Sequence, residues 1–207
     1  MIINMTTIAS RKTHYIHETL ESLRQSDGRH IPINLIIGSF DTSHIDRYLA
    51  TLNVVPWDEE AVALGGGRAR RNCSVNAIRA LKYGPDDHCL CCEDDVTFEK
   101  DWFSQLMLTV ADIDGDEYVL HLGQRCNTSP RQRYAIHARD NLCGAQAIFY
   151  PTKAMRNRVA EHVENTVRRG AGGTNDFLIG QYAKRYAALY NTIPVLAHHI
   201  GAVSTFH

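Results

Sequence analysis

Short apolar runs alternate with longer stretches of helical spacing along the first half of the chain. Residues 2–9, Ile-Ile-Asn-Met-Thr-Thr-Ile-Ala, predict a strand, and Ser10-Arg11-Lys12-Thr13 a polar turn. Tyr15, Ile16, Thr19, Leu20 and Leu23 recur at the spacing of one helix face, and Ser26-Asp27-Gly28 ends that helix. Ile33 to Ile37 predicts a second strand closed by Gly38, Ser43 to Leu52 a short helix, and Asn53 to Pro56 an extended piece. Gly65-Gly66-Gly67 breaks the chain before a helix over 68–83. Cys89-Leu90-Cys91-Cys92 is the shortest and most apolar run. It lies between a turn signal, Gly84-Pro85-Asp86-Asp87, and three consecutive carboxylates, Glu93-Asp94-Asp95, and reads as a buried strand.

Alternating strands and helices predict an α/β fold with a mostly parallel central sheet, and the second half reads as mixed. Helices are expected over 102–111, 151–168 and from Thr174-Asn175-Asp176 to about Tyr186, and strands over 118–122, 143–150 and 193–197. Residues 123–142 have no clear period and carry Arg125, Arg131, Arg133 and Arg139. No linker or internal repeat divides the sequence, so one domain is expected over 1–207, with a first functional half to about residue 97.

The carboxylates 93–95 fall at the carboxyl end of their strand, where open α/β sheets bind ligands. Three acidic groups there repel one another. A divalent cation with a preference for hard oxygen, Mg²⁺ or Mn²⁺, relieves that repulsion, and a charged strand exit facing water is the alternative. Gly65 to Asn72 offers backbone amides, the guanidiniums of Arg68, Arg70 and Arg71, and a helix start, all of which favour a phosphate; a flexible loop before a basic helix is the plainer reading. No GxGxxG follows the first strand and no GxxxxGK[ST] occurs.

Composition narrows the picture slightly. The 207 residues suffice for one full core, and 44% hydrophobic with 22% charged residues is ordinary globular usage. A net charge of -1 supplies no general field toward nucleic acid or membrane. No apolar run of about 18 residues predicts a membrane span. None of the six cysteines forms a CxxC pair, and the N-terminal run is too short for a signal peptide, so a reducing cytoplasm is the expected compartment.

Taken in order, these stations resemble a nucleotide-sugar glycosyltransferase of the GT-A fold. Thr6 to Arg11 stands where that fold holds the nucleotide, Arg71-Asn72 opens the helix before the acidic strand, and Glu93-Asp94-Asp95 takes the place of the DxD element with Glu first. Cys143 to Pro151 resembles the G-a-q-a-x-x-y-p segment of such enzymes. Pro194 to Gly201 with Ser204 resembles the P-x-L-v-x-H-I-G-x-x-S ending of the N-acetylglucosaminyltransferase IV-like group and its small bacterial and viral relatives. The resemblance implies metal ligation by Asp95 and His199, and nucleotide-sugar contacts from Thr6, Thr7, Arg11, Asp41, Arg68, Arg71, Asn72, Glu93, Asp94 and Gly144. It implies Asp176 as the catalytic base of an inverting transfer, although an Asp at a helix start is also a common cap. It further implies Mn²⁺ or Mg²⁺, a UDP-linked donor, and a glycan, lipid-linked or modified nucleic-acid acceptor. A sugar-phosphate nucleotidyltransferase and a non-catalytic nucleotide- or sugar-binding module are the alternatives. The chain is shorter than the animal enzymes and is expected to lack their membrane anchor.

Overall fold

The computed structural model describes residues 1–9, 13–65, 69–123, 132–137, 142, 144, 146–170 and 174–201, with backbone alone at 69–71. Its elements run β1 (Ile2–Thr7), α1 (Ile16–Gln25), β2 (Ile33–Ile37), a 3₁₀ helix (Ser43–Tyr48), β3 (Asn53–Val55), α2 (Glu59–Gly65), α3 (Ala69–Lys82) and β4 (Cys89–Glu93). They continue with β5 (Val96–Phe98), α4 (Trp102–Asp112), β6 (Tyr118–His121), β7 (Tyr134–Ile136), β8 (Ala147–Tyr150), α5 (Lys153–Arg168), α6 (Asn175–Tyr186), β9 (Ala188–Thr192) and β10 (Ala197–His199).

Eight strands form one sheet in the order β3-β2-β1-β4-β8-β6-β9-β7, and β5 pairs with β10 in a small second sheet. The strands of the first half are parallel, β8 enters antiparallel between β4 and β6, and β7 is antiparallel on the far edge. Helices cover both faces. Leu90 and Cys92 of β4 and Phe149 of β8 pack toward α1 and α4, whereas Cys91, Ile148 and Tyr150 pack toward α3, α5 and α6. Burial on both sides explains why β4 and β8 read as continuous apolar runs rather than alternating ones. Cysteine suits this layer as a small hydrophobe, and burial raises the Cys92 thiol well above its ordinary pKa.

Polar side chains fix the layers. Asn4, Asn34 and Asn53 lie level across β1, β2 and β3; Asn34 donates to Asn4 Oδ1 at 2.8 Å and Asn53 to Asn34 Oδ1 at 2.7 Å. Arg156 of α5 is fully buried and donates to the carbonyls of Leu81, Tyr83 and Pro85 at the C-terminal end of α3, where the helix leaves carbonyls unpaired and favours a cation. Thr19, Ser22 and Ser26 form a hydroxyl stripe along α1. Thr19 and Ser22 accept the β5 amides of Val96 and Phe98, and Ser26 accepts the indole N–H of buried Trp102.

Most predicted elements are present within a residue or two. The sequence reading missed α2, β5, β7 and β9, and it placed the last strand too early. Residues 193–196 are irregular and β10 begins at Ala197. Pro194 has no N–H to give a ladder, and the pairing in that region is made by β9 beside β6 and β7. The stretch 43–52 contains a 3₁₀ helix of six residues only.

Candidate functional site

Parallel β1 and β4 end side by side, with Thr6 opposite Glu93. Asp94 and Asp95 then form the turn into β5, and both are buried, at 1% and 3% exposure. Several elements hold this turn. The Thr7 hydroxyl contacts Asp94 Oδ2 at 2.5 Å, and Thr19 Oγ1 donates to the Asp94 carbonyl at 2.9 Å. The Ile200 amide donates to the Asp95 carbonyl at 2.9 Å.

His44 Nε2 lies 2.9 Å from the same Thr7 oxygen. The Thr7 proton goes to the carboxylate, which only accepts, so His44 donates through Nε2 and its Nδ1 is bare. Burial, and then the His14 ring 4.6 Å away, hold His44 below its ordinary pKa. Sequence reasoning named neither His44 nor Thr19 as a support of the turn. A polar residue inside the apolar stripe of α1 was the available signal for Thr19.

Asp95 and His199 come together from positions 104 apart in sequence: Asp95 Oδ2 and His199 Nε2 are 2.9 Å apart. Strand pairing sets this up, because β10 lies antiparallel to β5 with His199 opposite Val96. Alternation along β10 sends His198 elsewhere, onto exposed Glu99 at 2.6 Å. A Cβ at Gly201 would collide with Asp95 Oδ2 and stand 2.8 Å from His199 Nε2, so glycine keeps space open beside the pair. A carboxylate oxygen and an imidazole nitrogen beside that space fit a Mn²⁺- or Mg²⁺-sized ion supplied with further oxygen ligands. Among the described residues no group of three or more His, Cys, Asp and Glu side chains could hold a metal by itself.

The other candidates are distributed around this rim. Glu93 donates its amide to the Gln146 carbonyl at 2.9 Å and lines a small cavity of about 20 Å³ with Thr6, Cys92, Asn175 and Ile179, so α6 opens beside the acidic turn. Thr6 donates to the Cys92 carbonyl at 3.3 Å. Asp41 is exposed beyond β2; its Oδ1 accepts the Ser43 amide at 3.0 Å, which holds the carboxyl below its usual range. Asn72 packs against Gly65. Arg71 lies on the α3 backbone, with its side chain outside the described residues, as are Arg11, Arg68 and Ser204. Of the four arginines noted over 123–142, only Arg133 is described, and it pairs with Asp112 at 3.1 Å.

Asp176 sits in the first turn of α6, where Thr174 takes the N-cap place. Its Oδ2 accepts the Gly144 amide at 2.9 Å, and its Oδ1 accepts the Phe177 amide and the Thr174 hydroxyl. A carboxylate has about four acceptor directions, so these three bonds leave one for a substrate proton. Gly144 has φ +88°, a left-handed backbone suited to glycine. Its carbonyl accepts from His121 Nε2 at 2.9 Å, and His121 Nδ1 accepts the Gly123 amide. Burial lowers the His121 pKa to about 4, which leaves it neutral. His121 was not singled out from sequence; a lone His ending an apolar strand gave no distinctive spacing.

A hollow of about 240 Å³ beside β3, α2 and α3 is lined by none of the candidate residues. Among the described residues no helix is long and apolar enough to cross a membrane.

No protein-family model matches the chain, and no curated protein matches it. Solved structures do. The galactosyltransferase LgtC, in complex with donor and acceptor sugar analogues, aligns with a TM-score of 0.60 at 11% identity, covering 97% of this chain and 87% of that one. Staphylococcus aureus TarS aligns with a TM-score of 0.53 at 16% identity, over 93% of this chain and 36% of that one. Its 1–349 fragment in complex with UDP-GlcNAc gives 0.53 at 14% identity, over 99% of this chain and 62% of that one. The chain therefore spans about a third of TarS. At these identities the likeness establishes the fold, which is the GT-A-like α/β fold of glycosyltransferases.

Proposed function

We propose that this protein transfers a sugar from a nucleotide-diphosphate donor, UDP-linked, to an acceptor hydroxyl with inversion, using Mn²⁺ or Mg²⁺. The observation that carries the reading is the convergence of Asp95 and His199 at 2.9 Å on the carboxyl-terminal rim of the sheet. Two protein ligands suit an ion that takes its remaining oxygens from a diphosphate and water. When bound, the cation neutralises charge on the departing nucleotide. Glu93, beside Thr6 at the end of β4, faces the donor's ribose or sugar. Asp94, held by Thr7, keeps the turn in shape. The free backbone amides of the first turn of α3 favour an anion such as the donor's phosphates. Asp176 accepts the acceptor's hydroxyl proton through its remaining lone-pair direction as that oxygen attacks the anomeric carbon. The UDP-GlcNAc in the TarS 1–349 complex and the donor sugar analogue in the LgtC complex support the donor class for this chain.

A thermal-shift panel of UDP, GDP, CDP and dTDP, each with and without Mn²⁺, tests the reading. A ligand that binds the native state raises its stability by mass action. A Mn²⁺-dependent shift with UDP, lost in Asp95→Ala, is the expected result. No shift with any of the four in the presence of Mn²⁺ overturns the proposal.

A further inference from the structure

A second surface has the chemistry of a saccharide site and lies away from the acidic turn. Arg158, Glu161, His162 and Asn165 recur at one-turn spacing on α5, and Tyr182 and Tyr186 do so on α6, so each set forms a stripe. The two stripes, with Glu117 just before β6, line an open cleft of about 510 Å³. Because β6 runs in the same sense as β4, Glu117 lies at the edge of the sheet where β4 begins, opposite to the rim that carries Asp95.

One wall of this cleft is aromatic. The His162, Tyr182 and Tyr186 rings form a cluster with centroids 5.3 to 6.5 Å apart, and Tyr186 is 53% exposed. The other wall offers planar polar groups. Arg158 is held in a fork by both Glu117 oxygens at 2.6 and 2.7 Å, and its Nε donates to Tyr182 Oη at 3.3 Å. Asn165 is exposed beside it, while the His162 Nε2 is buried behind the ring cluster. Glu117 and Glu161 are balanced by Arg158 and by Arg185, which lies over the Tyr186 ring. This balance disfavours a strongly charged ligand, and the open polar rim disfavours a lipid tail.

A neutral sugar matches both walls. Its axial C–H face packs on an aromatic ring, and its adjacent hydroxyls pair with carboxylate, guanidinium and amide groups. We infer that the α5–α6 cleft binds neutral hexose or N-acetylhexosamine chains at a site separate from the transfer centre. Such a site would tether a glycan while its end reaches the opposite rim. The inference does not depend on the transfer reaction itself.

Saturation-transfer NMR with chitotriose and with maltotriose as probes tests it on the full chain. At least one probe is expected to bind saturably, about fivefold or more weakly in Tyr186→Ala and Asn165→Ala. Tyr186→Phe, which keeps the ring, should restore binding, and Asp95→Ala should leave it unchanged. No saturable binding of either probe overturns the inference, as does unchanged binding in Tyr186→Ala. Loss of binding in Asp95→Ala also overturns it, because the sugar would then occupy the acidic turn. Failure of the nucleotide panel alongside saturable trisaccharide binding would refute the transferase reading and leave this one standing.

Discussion

The acidic turn and the start of α6 share one rim of the sheet but are restrained differently. The turn at Asp94-Asp95 is tied to β1 by Thr7, to α1 by Thr19 and to the strand after Pro194 by Ile200. Asp176 makes one tie beyond its own helix start, to the Gly144 amide, and that peptide is held in turn by His121. Supports from several directions suit the proposed donor site, which would present fixed oxygens to a cation and diphosphate. A carboxylate held through a single peptide can adjust to an incoming hydroxyl. Donor binding and acceptor activation should therefore be separable by mutation.

The largest separation is expected at Asp176. Asp176→Asn should lower turnover about 10²- to 10⁴-fold, as for loss of a general base, while leaving the Mn²⁺-dependent nucleotide shift intact. Undiminished turnover in a transferase assay would remove the base assignment. Next comes the His121 support. Its pKa of about 4 lies below the 6.5 expected in the unfolded chain, so protonation favours unfolding. No penalty exists above about pH 6.5; it grows as pH falls and is complete below about 4, reaching about 3 kcal/mol. Denaturant titrations between pH 7 and 4 should show this slope, and His121→Gln should flatten it. A slope identical in the variant would assign the acid sensitivity elsewhere.

Thr19→Val tests the opposite side. It leaves the Val96 amide and the Asp94 carbonyl without that hydroxyl and should cost about 1–3 kcal/mol of stability. Unlike Asp176→Asn, it should also weaken the Mn²⁺-dependent nucleotide shift, and a lost shift without lost stability would contradict its role as a support. His198→Ala is the smallest change. Its pair with Glu99 is exposed, so stability should move by less than about 1 kcal/mol and the nucleotide shift should stay unchanged, which distinguishes it from its neighbour His199.

Much of the parallel half was legible because buried strands such as Ile33–Ile37 and Cys89–Glu93 are apolar runs bounded by Gly, Pro or charge. The acidic exit of β4 followed from the same boundary. The later strands were harder. Ala188–Thr192 follows α6 after one residue and is only half buried over its first three positions, so neither a break nor an apolar run marks it. Tyr134–Ile136 has only three residues on an edge, and Ile136 is 77% exposed. The convergence of Asp95 with His199 entered through family resemblance, since the β5–β10 pairing that creates it leaves no local periodic signal. Hydroxyls and amides that satisfy backbone groups across elements, such as Ser22 and Asn4, are invisible to a hydrophobic pattern.

The asparagine row across the first three strands acts as a datum line for the rim above it. From Asn4 to Thr7, from Asn34 to Ile37, and from Cys91, level with Asn4, to Asp94, each segment advances by the same three residues. That is about 10 Å where the chain is extended. A two-residue slip of β2 would keep every side chain on its proper face, so hydrophobic burial alone resists it weakly. It would nonetheless uncouple the amides and shift that strand's end by nearly 7 Å. The dimensional tolerance of the rim is therefore set a full strand-half below it, by side chains that take no part in the proposed site.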